Sequence, residues 1–275
     1  MVLVPDPASP RSRSRSSSVS TTNSDVALPS FASLAPSRPP TTVAEEETRV
    51  SIPGLEKKVI LKIDAGPGCG GVAWAAGEVL SRYISYRYSI DPTILRNKKV
   101  LELGSGTGLV GIVAGLLDPS SEVWVTDQEI LLDLMEINAE LNIPSPIPIP
   151  TPTWTTSNIT SVIGRRNVHA VELNWGEDLS DSDIPIEEID LVLAADCVYF
   201  EPAFPLLIKT LCDLAPVGKE MDILFCWKKR RNADKRFFSM LKKHFDQITI
   251  QDDKIGEKDM YGKQGVSLIK LVRRK

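Results

Sequence analysis

The chain has 275 residues and a net charge of −4 at pH 7, which is enough length for one full hydrophobic core and a small extension. A mildly acidic chain is not a general nucleic-acid binder, although it can still carry a local basic site. The sequence has neither a secretory-type apolar segment nor a run of membrane-spanning length, so we expect a soluble, cytoplasmic protein.

The cysteines and histidines do not form a recognisable metal or nucleophile motif. The four cysteines lack C-x-x-C spacing, and we expect reduced thiols at Cys69, Cys197, Cys212 and Cys226. The two histidines, His169 and His244, lie far apart and have no Cys or Ser motif beside them. A hydrolase triad and a metal site are therefore not expected.

Residues 1–45 are rich in Ser, Pro and Thr and contain only short apolar pairs. Such a segment buries too little apolar surface to offset the entropy of ordering it, so we predict a disordered tail. One folded domain is expected over residues 46–275. At its start, residues 49–63 predict two short strands separated by Pro53 and Gly54. Residues 72–88 have apolar side chains at helical spacing and predict a helix.

Apolar strands and amphipathic helices alternate from Lys98 onward. The predicted strands are KKVLELG, SEVWVTD, NVHAVELNWG, IDLVLAAD and EMDILFCW, and the predicted helices are TGLVGIVAGLL, EILLDLMEINAEL, AFPLLIKTLCDLA and NADKRFFSMLKKHF. This pattern predicts an α/β fold in which helices cover both faces of a mostly parallel sheet. Two closing strands, DQITIQD and GVSLIKLVRR, are predicted to be joined by a charged loop without a helix, which gives the sheet one antiparallel partner.

Residues 142–166 interrupt the alternation with repeated prolines. Proline removes backbone donors and favours extended conformations, and ordinary loops between a helix and a strand are much shorter. We therefore predict an exposed insertion loop, either passive or used to bind a partner.

The stretch VLELGSGTGLVG, residues 100–111, follows a strand and opens a helix, which is where an open α/β sheet binds its cofactor. Gly104, Gly106 and Gly108 allow a ligand to approach the backbone, and free amides at the helix start favour an anionic group. A dinucleotide fingerprint requires glycine at its sixth position, where this chain has Leu109. Here instead an acid, Glu102, precedes three alternating glycines.

This glycine pattern and the order of elements resemble motif I of the seven-β-strand methyltransferases, which use S-adenosylmethionine. The resemblance implies a Rossmann-like, seven-stranded, mostly parallel sheet with helices on both faces. It also implies that an acid ending the second strand holds the ribose hydroxyls, and Asp127 occupies that place in VWVTD. The alternative role for Asp127 is a helix N-cap.

Further motifs narrow the resemblance to the protein-lysine methyltransferases of the methyltransferase-like 21 group. They are G-x-x-W, E-L-G-S-G-T-G, T-D-x-x-x-x-L-x-x-x-x-x-N, L-x-W-G and A-D-x-x-Y, and they cover the chain from about residue 50. Within the group, the chain is most similar to fungal enzymes that methylate a lysine of translation elongation factor 1-alpha. The long tail and the proline-rich insertion depart from the pattern. The cofactor contacts implied by the resemblance are Trp74, Gly104, Ser105, Gly106, Asp127, Trp175 and Ala195. Trp74 could alternatively be a core anchor.

The end of the fourth strand, LVLAADCVYF, supplies the predicted catalytic residues Asp196 and Tyr199. A carboxylate raises the pKa of a neighbouring amine, so we expect Asp196 to orient the substrate lysine by accepting a hydrogen bond, and not to deprotonate it. Tyr199 could offer its ring face or its hydroxyl to the nitrogen. The alternative is structural, with Asp196 capping the next helix and Tyr199 packing beneath it.

The basic segment WKKRRNADKR, residues 227–236, follows the fifth strand at the same edge of the sheet. It is either a solvated face or a rim that docks an acidic protein surface. The expected partner is a protein substrate bound by a monomer, without a membrane or direct nucleic-acid contact. Two rival hypotheses remain open at this point: a methyltransferase acting on another protein, a small molecule or nucleic acid, and a binding module without chemistry.

Overall fold

The computed structural model describes residues 46–64, 71, 74–143, 166–230 and 233–275. The predicted disordered tail and most of the predicted insertion loop lie outside these ranges.

The described residues form nine strands and six α-helices, which alternate as the sequence predicts through the middle of the chain. The strands are β1 (Glu47–Val50), β2 (Val59–Lys62), β3 (Lys99–Leu103), β4 (Glu122–Asp127), β5 (Val168–Glu172), β6 (Leu191–Ala195), β7 (Asp222–Lys228), β8 (Phe245–Thr249) and β9 (Val266–Arg273). The helices are α1 (Ala75–Ile90), α2 (Leu109–Leu117), α3 (Leu132–Asn142), α4 (Phe204–Leu214), α5 (Ala233–Leu241) and α6 (Glu257–Lys263). No helix in the described ranges has the length and apolar character to cross a membrane.

Seven strands form one sheet in the order β5-β4-β3-β6-β7-β9-β8. β3, β4, β5, β6 and β7 are parallel to one another, and β9 runs antiparallel to both of its neighbours. The predicted fold class is therefore confirmed, including the single antiparallel partner. Because strand order reverses between β3 and β6, the carboxyl ends of these two strands flank a crevice, where open α/β sheets bind their ligands.

Helices cover both faces of this sheet, because successive strand residues point to opposite sides. On β3, Val100 belongs to the core shared with α1, α2 and α3, while Leu101 and Leu103 belong to the core shared with α4 and α5. All three β3 side chains are completely buried. Such central strands read as continuous apolar runs, and this is why they could be predicted from the sequence.

The N-terminal hairpin is present as predicted, with β1 antiparallel to β2. The free edge of β2 is covered by two asparagines that lie one turn apart on α3. Asn138 accepts from Lys62 N at 2.7 Å and donates to Lys62 O at 3.1 Å, and Asn142 makes the same pair of bonds with Ile60. Asn138 is completely buried and also donates to Thr107 O at 3.0 Å, so one amide ties the hairpin to the glycine loop.

The sequence predicts a charged loop without a helix between β8 and β9, and this prediction is wrong. α6 lies there, and it begins after Gly256, whose positive φ of 86° suits glycine. The seven-residue helix is mostly charged and places one apolar side chain, Tyr261, in the core. A single buried residue gives no periodic pattern, which explains why the helix was missed.

Candidate active site

Four parallel strands end at one edge of the sheet and bring the sequence-predicted residues together. The loop after β3 carries the glycines, β4 ends at Asp127, and β6 ends at Ala195, next to Asp196. β7 ends at Lys228, two residues before Arg230. After the ligands that the sequence predicts for them, we call the ends of β3 and β4 the cofactor half and the ends of β6 and β7 the substrate half.

The glycine loop has a backbone shape that other residues rarely adopt. The φ angles of Gly104, Gly106 and Gly108 are 59°, 57° and 80°. A Cβ atom on Gly104 would lie 2.9 Å from Cζ2 of Trp175 and 3.2 Å from Sγ of Cys197. The loop therefore leaves no room for a side chain at Gly104, and Trp175, only 5% exposed, forms the wall against it.

Asp127 is bound by backbone amides of the cofactor half. One carboxylate oxygen accepts from Gly106 N at 2.9 Å, and the other accepts from Gln128 N at 2.8 Å. The N-cap residue of α3 is Leu131, and the short 3₁₀ turn before α3 is preceded by Gln128 without a side-chain cap. The helix N-cap interpretation of Asp127 is therefore wrong, and its carboxylate joins the end of β4 to the glycine loop.

Ser105 links the glycine loop to β4 on the interior side. Its backbone amide donates to Thr126 O at 2.9 Å, and its hydroxyl accepts from Thr126 N at the same distance. The hydroxyl also donates to Glu102 O at 3.2 Å. These bonds use the side chain within the protein, and contact of Ser105 with a cofactor stays a prediction.

Glu102 is a structural acid that the sequence marked only as the residue before the glycines. It is 2% exposed and accepts from Gly111 N at 2.8 Å, which fixes the first turn of α2 against β3. Burial raises the pKa of Glu102 to about 8, although the hydrogen bond from Gly111 opposes this shift. At neutral pH the carboxyl is therefore mostly protonated, and it adds little negative charge to the site.

Asp196 has a strained backbone and a buried side chain. Its φ angle is 64°, one of only two positive values found among the non-glycine residues of the described ranges. The amide of Asp196 donates to Cys226 O at 2.8 Å, and its carboxylate accepts from Lys228 N at 3.2 Å. Left-handed backbone at a non-glycine residue costs on the order of 1 kcal/mol or more and is concentrated at functional sites.

The structural alternative for this strand end is also wrong. The next helical turn, Glu201–Ala203, has Phe200 as its N-cap and no side-chain cap. Asp196 therefore does not cap a helix. Tyr199 is 37% exposed, so it is not packed beneath one.

Arg230 is the residue of the substrate half that sequence reasoning missed, because the sequence shows it only as one of several basic residues in the segment 227–236. Its guanidinium donates to both carboxylate oxygens of Asp196, at 2.7 and 2.6 Å. The same guanidinium lies 4.9 Å from the centroid of the Trp74 ring. Trp74 is 39% exposed, so its alternative role as a core anchor is wrong. The position of the basic segment after β7 indicates that one of its cations could lie near Asp196, but the sequence does not show which arginine it is.

The two halves meet at Cys197. Burial raises the pKa of its thiol well above the usual range, and the nearby charges of Asp127 and Asp196 raise it further. Its Sγ also donates to Leu103 O at 3.2 Å, so this buried residue, which follows Asp196, joins the ends of β3 and β6. The loop after β3, the acid after β4 and the acid after β6 converge on one crevice, which defines a Rossmann-like transferase site of the methyltransferase class.

Comparison with known proteins identifies the family. A lysine methyltransferase family model matches residues 55–244, and the chain belongs to this family. The recognition made from the sequence motifs, the fold class and the enzyme class of protein-lysine N-methyltransferase are confirmed.

Three relatives illustrate the similarity. The chain is 41% identical to protein-lysine N-methyltransferase EFM6 of Saccharomyces cerevisiae, over 75% of this chain and 82% of the relative. It is 36% identical to protein N-lysine methyltransferase METTL21A of Danio rerio, over 68% of this chain and 73% of the relative. It is 31% identical to EEF1A lysine methyltransferase 3 of Mus musculus, over 76% of this chain and 78% of the relative.

Proposed function

We propose that this protein-lysine methyltransferase uses S-adenosylmethionine to methylate a lysine of translation elongation factor 1-alpha. The assignment of this substrate is based on the name of the mouse relative, EEF1A lysine methyltransferase 3, and on the sequence resemblance to fungal enzymes with that substrate. The supporting observation is that the glycine loop, Asp127 and Asp196 lie at one edge of the sheet, where Cys197, the residue after Asp196, donates to Leu103 O at 3.2 Å. A cytoplasmic location follows from this substrate, since translation elongation takes place there. The monomeric state stays a prediction.

The residues of the cofactor half fit the proposed cofactor. At Gly104 a Cβ would collide with Trp175, so only glycine lets the loop lie this close to the indole that forms its wall. Asp127 is a partly exposed acceptor with two oxygens, which suits a pair of ribose hydroxyls. Further contacts are assigned by resemblance to Trp74, Ser105, Gly106, Trp175 and Ala195. The bound cofactor would supply an electrophilic methyl group on a sulfonium centre.

The chain's own task is to present a neutral amine in line with that methyl group. For a lysine of ordinary pKa at pH 7, the neutral form costs about 4 to 5 kcal/mol. Asp196 accepts a hydrogen bond from the amine and directs its lone pair, while the proton leaves to solvent. Tyr199, which is 37% exposed in the loop after β6, presents its ring or hydroxyl to the same nitrogen.

Labelling in a cell extract tests the proposal. The protein is incubated with cofactor carrying a labelled methyl group, and the labelled product is then identified. The proposal expects one protein band, identified as elongation factor 1-alpha. If the label appears in another protein, in a small molecule or in nucleic acid, the proposed substrate is wrong and the labelled molecule is the substrate instead. A protein that binds the cofactor but labels nothing would be a binding module without chemistry.

A further inference from the structure

We infer that Arg230 is a positioning residue for methyl transfer, because it cancels the charge of Asp196 and thereby allows the substrate amine to be neutral. This inference rests on the proposed function, in which Asp196 faces the incoming lysine. It assigns a role to a residue that lies 34 positions away from Asp196 in the chain.

The contact between Arg230 and Asp196 has the geometry of a strong, fixed ion pair. Two guanidinium nitrogens meet two carboxylate oxygens at 2.7 and 2.6 Å, which is the parallel fork arrangement that arginine makes with carboxylates. The Asp196 side chain is 4% exposed and that of Arg230 is 27% exposed, so the carboxylate is shielded from water while the guanidinium is partly solvated. Trp74 lies beside the guanidinium and limits its movement.

The hydrogen bonds to Asp196 leave a place for one more donor. Within the described ranges, its Oδ1 accepts from Arg230 and from Lys228 N, and its Oδ2 accepts from Arg230 alone. A carboxylate offers about four acceptor positions, so about one remains, on Oδ2. An amine N–H can therefore bond to Asp196 without displacing Arg230.

Arg230 is the cation in direct contact with Asp196, and the other titratable groups around the pair are thiols and acids. Cys197 follows Asp196 in the chain and Cys226 O accepts from the amide of Asp196, and burial raises the pKa of both thiols, so they stay neutral. Lys228 contributes its backbone amide. The surrounding acids are Asp127 and Glu102 near Cys197, Asp253 near Cys226, and Asp234 of α5, which accepts from Arg230 N at 2.9 Å. Tyr199 follows in the same loop as Asp196.

An uncompensated carboxylate at this point would hold the substrate lysine as ammonium, which cannot attack a methyl group. A positive charge of the same magnitude, placed next to the carboxylate, cancels most of the increase in the pKa of the amine. Arg230 thus separates two properties of Asp196: it keeps the acceptor that orients the amine and neutralises the charge that would raise the pKa of the amine.

The test compares Arg230→Gln, which removes the charge, with Arg230→Lys, which keeps it. Lys229→Gln is the matched control, since Lys229 is exposed and contributes only its backbone amide to Gly265 O in the contacts seen. The substrate is elongation factor 1-alpha or, if it is not labelled, the purified protein found by labelling in a cell extract. Cofactor affinity and thermal unfolding establish that each variant is folded.

The pH dependence of kcat reports groups in the enzyme–substrate complex, including the bound amine. For Arg230→Gln, we expect the rising limb of kcat to move about one to two pH units upward, a 10- to 100-fold loss at pH 7 that is recovered at high pH. In Arg230→Lys and Lys229→Gln, kcat should rise at the same pH as in the wild type. If Arg230→Gln does not fold, the test rests on Arg230→Lys. A rising limb of kcat that is shifted upward in Arg230→Lys contradicts the inference, because this variant keeps the positive charge.

Calorimetry supplies a second readout that does not require turnover. Binding of the substrate protein in the presence of S-adenosylhomocysteine is measured in two buffers of different ionisation enthalpy, which gives the number of protons released. Arg230→Gln should release fewer protons than the wild type. An unshifted limb with unchanged proton release would show a merely structural role, and faster turnover by Arg230→Gln would show that Arg230 blocks the site. Absence of methyl transfer by the wild type itself overturns the proposed function instead.

Discussion

The two halves of the site hold their carboxylates in different ways. In the cofactor half, Asp127 is partly exposed and is bound by the backbone amides of Gly106 and Gln128. In the substrate half, Asp196 is buried, has a left-handed backbone, and is bound by the side chain of Arg230. The first arrangement keeps a negative acceptor available to hydroxyl groups, whereas the second keeps an acceptor but neutralises its charge.

This difference fits the two ligands that the halves are proposed to bind. Ribose hydroxyls are neutral donors and gain from a fully charged acceptor. A reacting lysine must lose its charge, and a fully charged acceptor would oppose that loss. We therefore expect the two halves to be separable by mutation, with cofactor affinity depending on one and turnover on the other.

The largest expected effect is on turnover. Asp196→Ala removes the proposed acceptor for the substrate amine and should lower kcat by at least about 100-fold, since misplacing a reacting group has effects of this size. Cofactor affinity, measured by calorimetry, should stay within about threefold of the wild type because the glycine loop is untouched. Substantial turnover in this variant would mean that Asp196 has no part in the reaction.

The second expected effect lies in the cofactor half. Asp127→Ala should weaken cofactor binding by about 10- to 100-fold, corresponding to one or two lost hydrogen bonds to a charged group. Asp127→Asn keeps one acceptor oxygen and should lose less. If the affinity of both variants equals that of the wild type, Asp127 does not hold the ribose.

A third prediction concerns Asn138 of α3, which links the N-terminal hairpin to the glycine loop of the cofactor half. Asn138→Ala removes a completely buried amide and leaves Thr107 O, which is also buried, without this donor, so it should lower the free energy of unfolding by roughly 2 to 4 kcal/mol. Asn142→Ala is the matched control at the next turn of α3. Its site is partly exposed, so water can replace its bonds, and the loss should be about 1 kcal/mol or less. Equal losses in denaturant unfolding would contradict this assignment.

The last effect is expected at Glu102, inside the cofactor half, and it concerns the pH dependence of stability and not turnover or cofactor affinity. Its pKa is raised from 4.5 to about 8 by burial, so the folded state binds the proton more tightly than the unfolded state. The contribution of Glu102 to stability is therefore present below pH 4.5 and is lost as the pH rises toward 8, with a slope of at most about 1.4 kcal/mol per pH unit.

Glu102→Gln keeps an oxygen acceptor for Gly111 N and removes this titration. Its unfolding free energy, measured by urea denaturation from pH 5 to pH 8, should vary less with pH than that of the wild type. The same pH dependence in both proteins would show that Glu102 does not carry the raised pKa.

The two halves also differ in how far the sequence predicts them. The cofactor half is local in the chain, since Gly104, Gly106 and Asp127 belong to one strand–helix–strand unit, and alternating glycines have few structural alternatives. In the substrate half, Asp196 was predicted from the end of an apolar strand. Its partner Arg230 follows a different strand within a run of basic residues, and only the pairing of β6 with β7 selects it.

The same reasoning explains the alternatives that the sequence left open and the helix that it did not predict. Asp127 was open to a helix N-cap role and Trp74 to a core role, because a single polar or aromatic residue at an element boundary does not identify its contacts. α6 was missed because it buries only Tyr261 in the core. In each case the deciding contact is long-range, while periodicity and spacing report only on neighbours in the chain.

Mass spectrometry of the reaction product tests the central claim most directly. Unmethylated elongation factor 1-alpha, produced in bacteria, is incubated with S-adenosylmethionine and either the wild type or Asp196→Ala, and the methylated residue is located in the peptides. We predict a methylated lysine with the wild type and none with Asp196→Ala, although the variant binds the cofactor. Methylation of a different type of residue, or equal methylation by both proteins, would contradict the account.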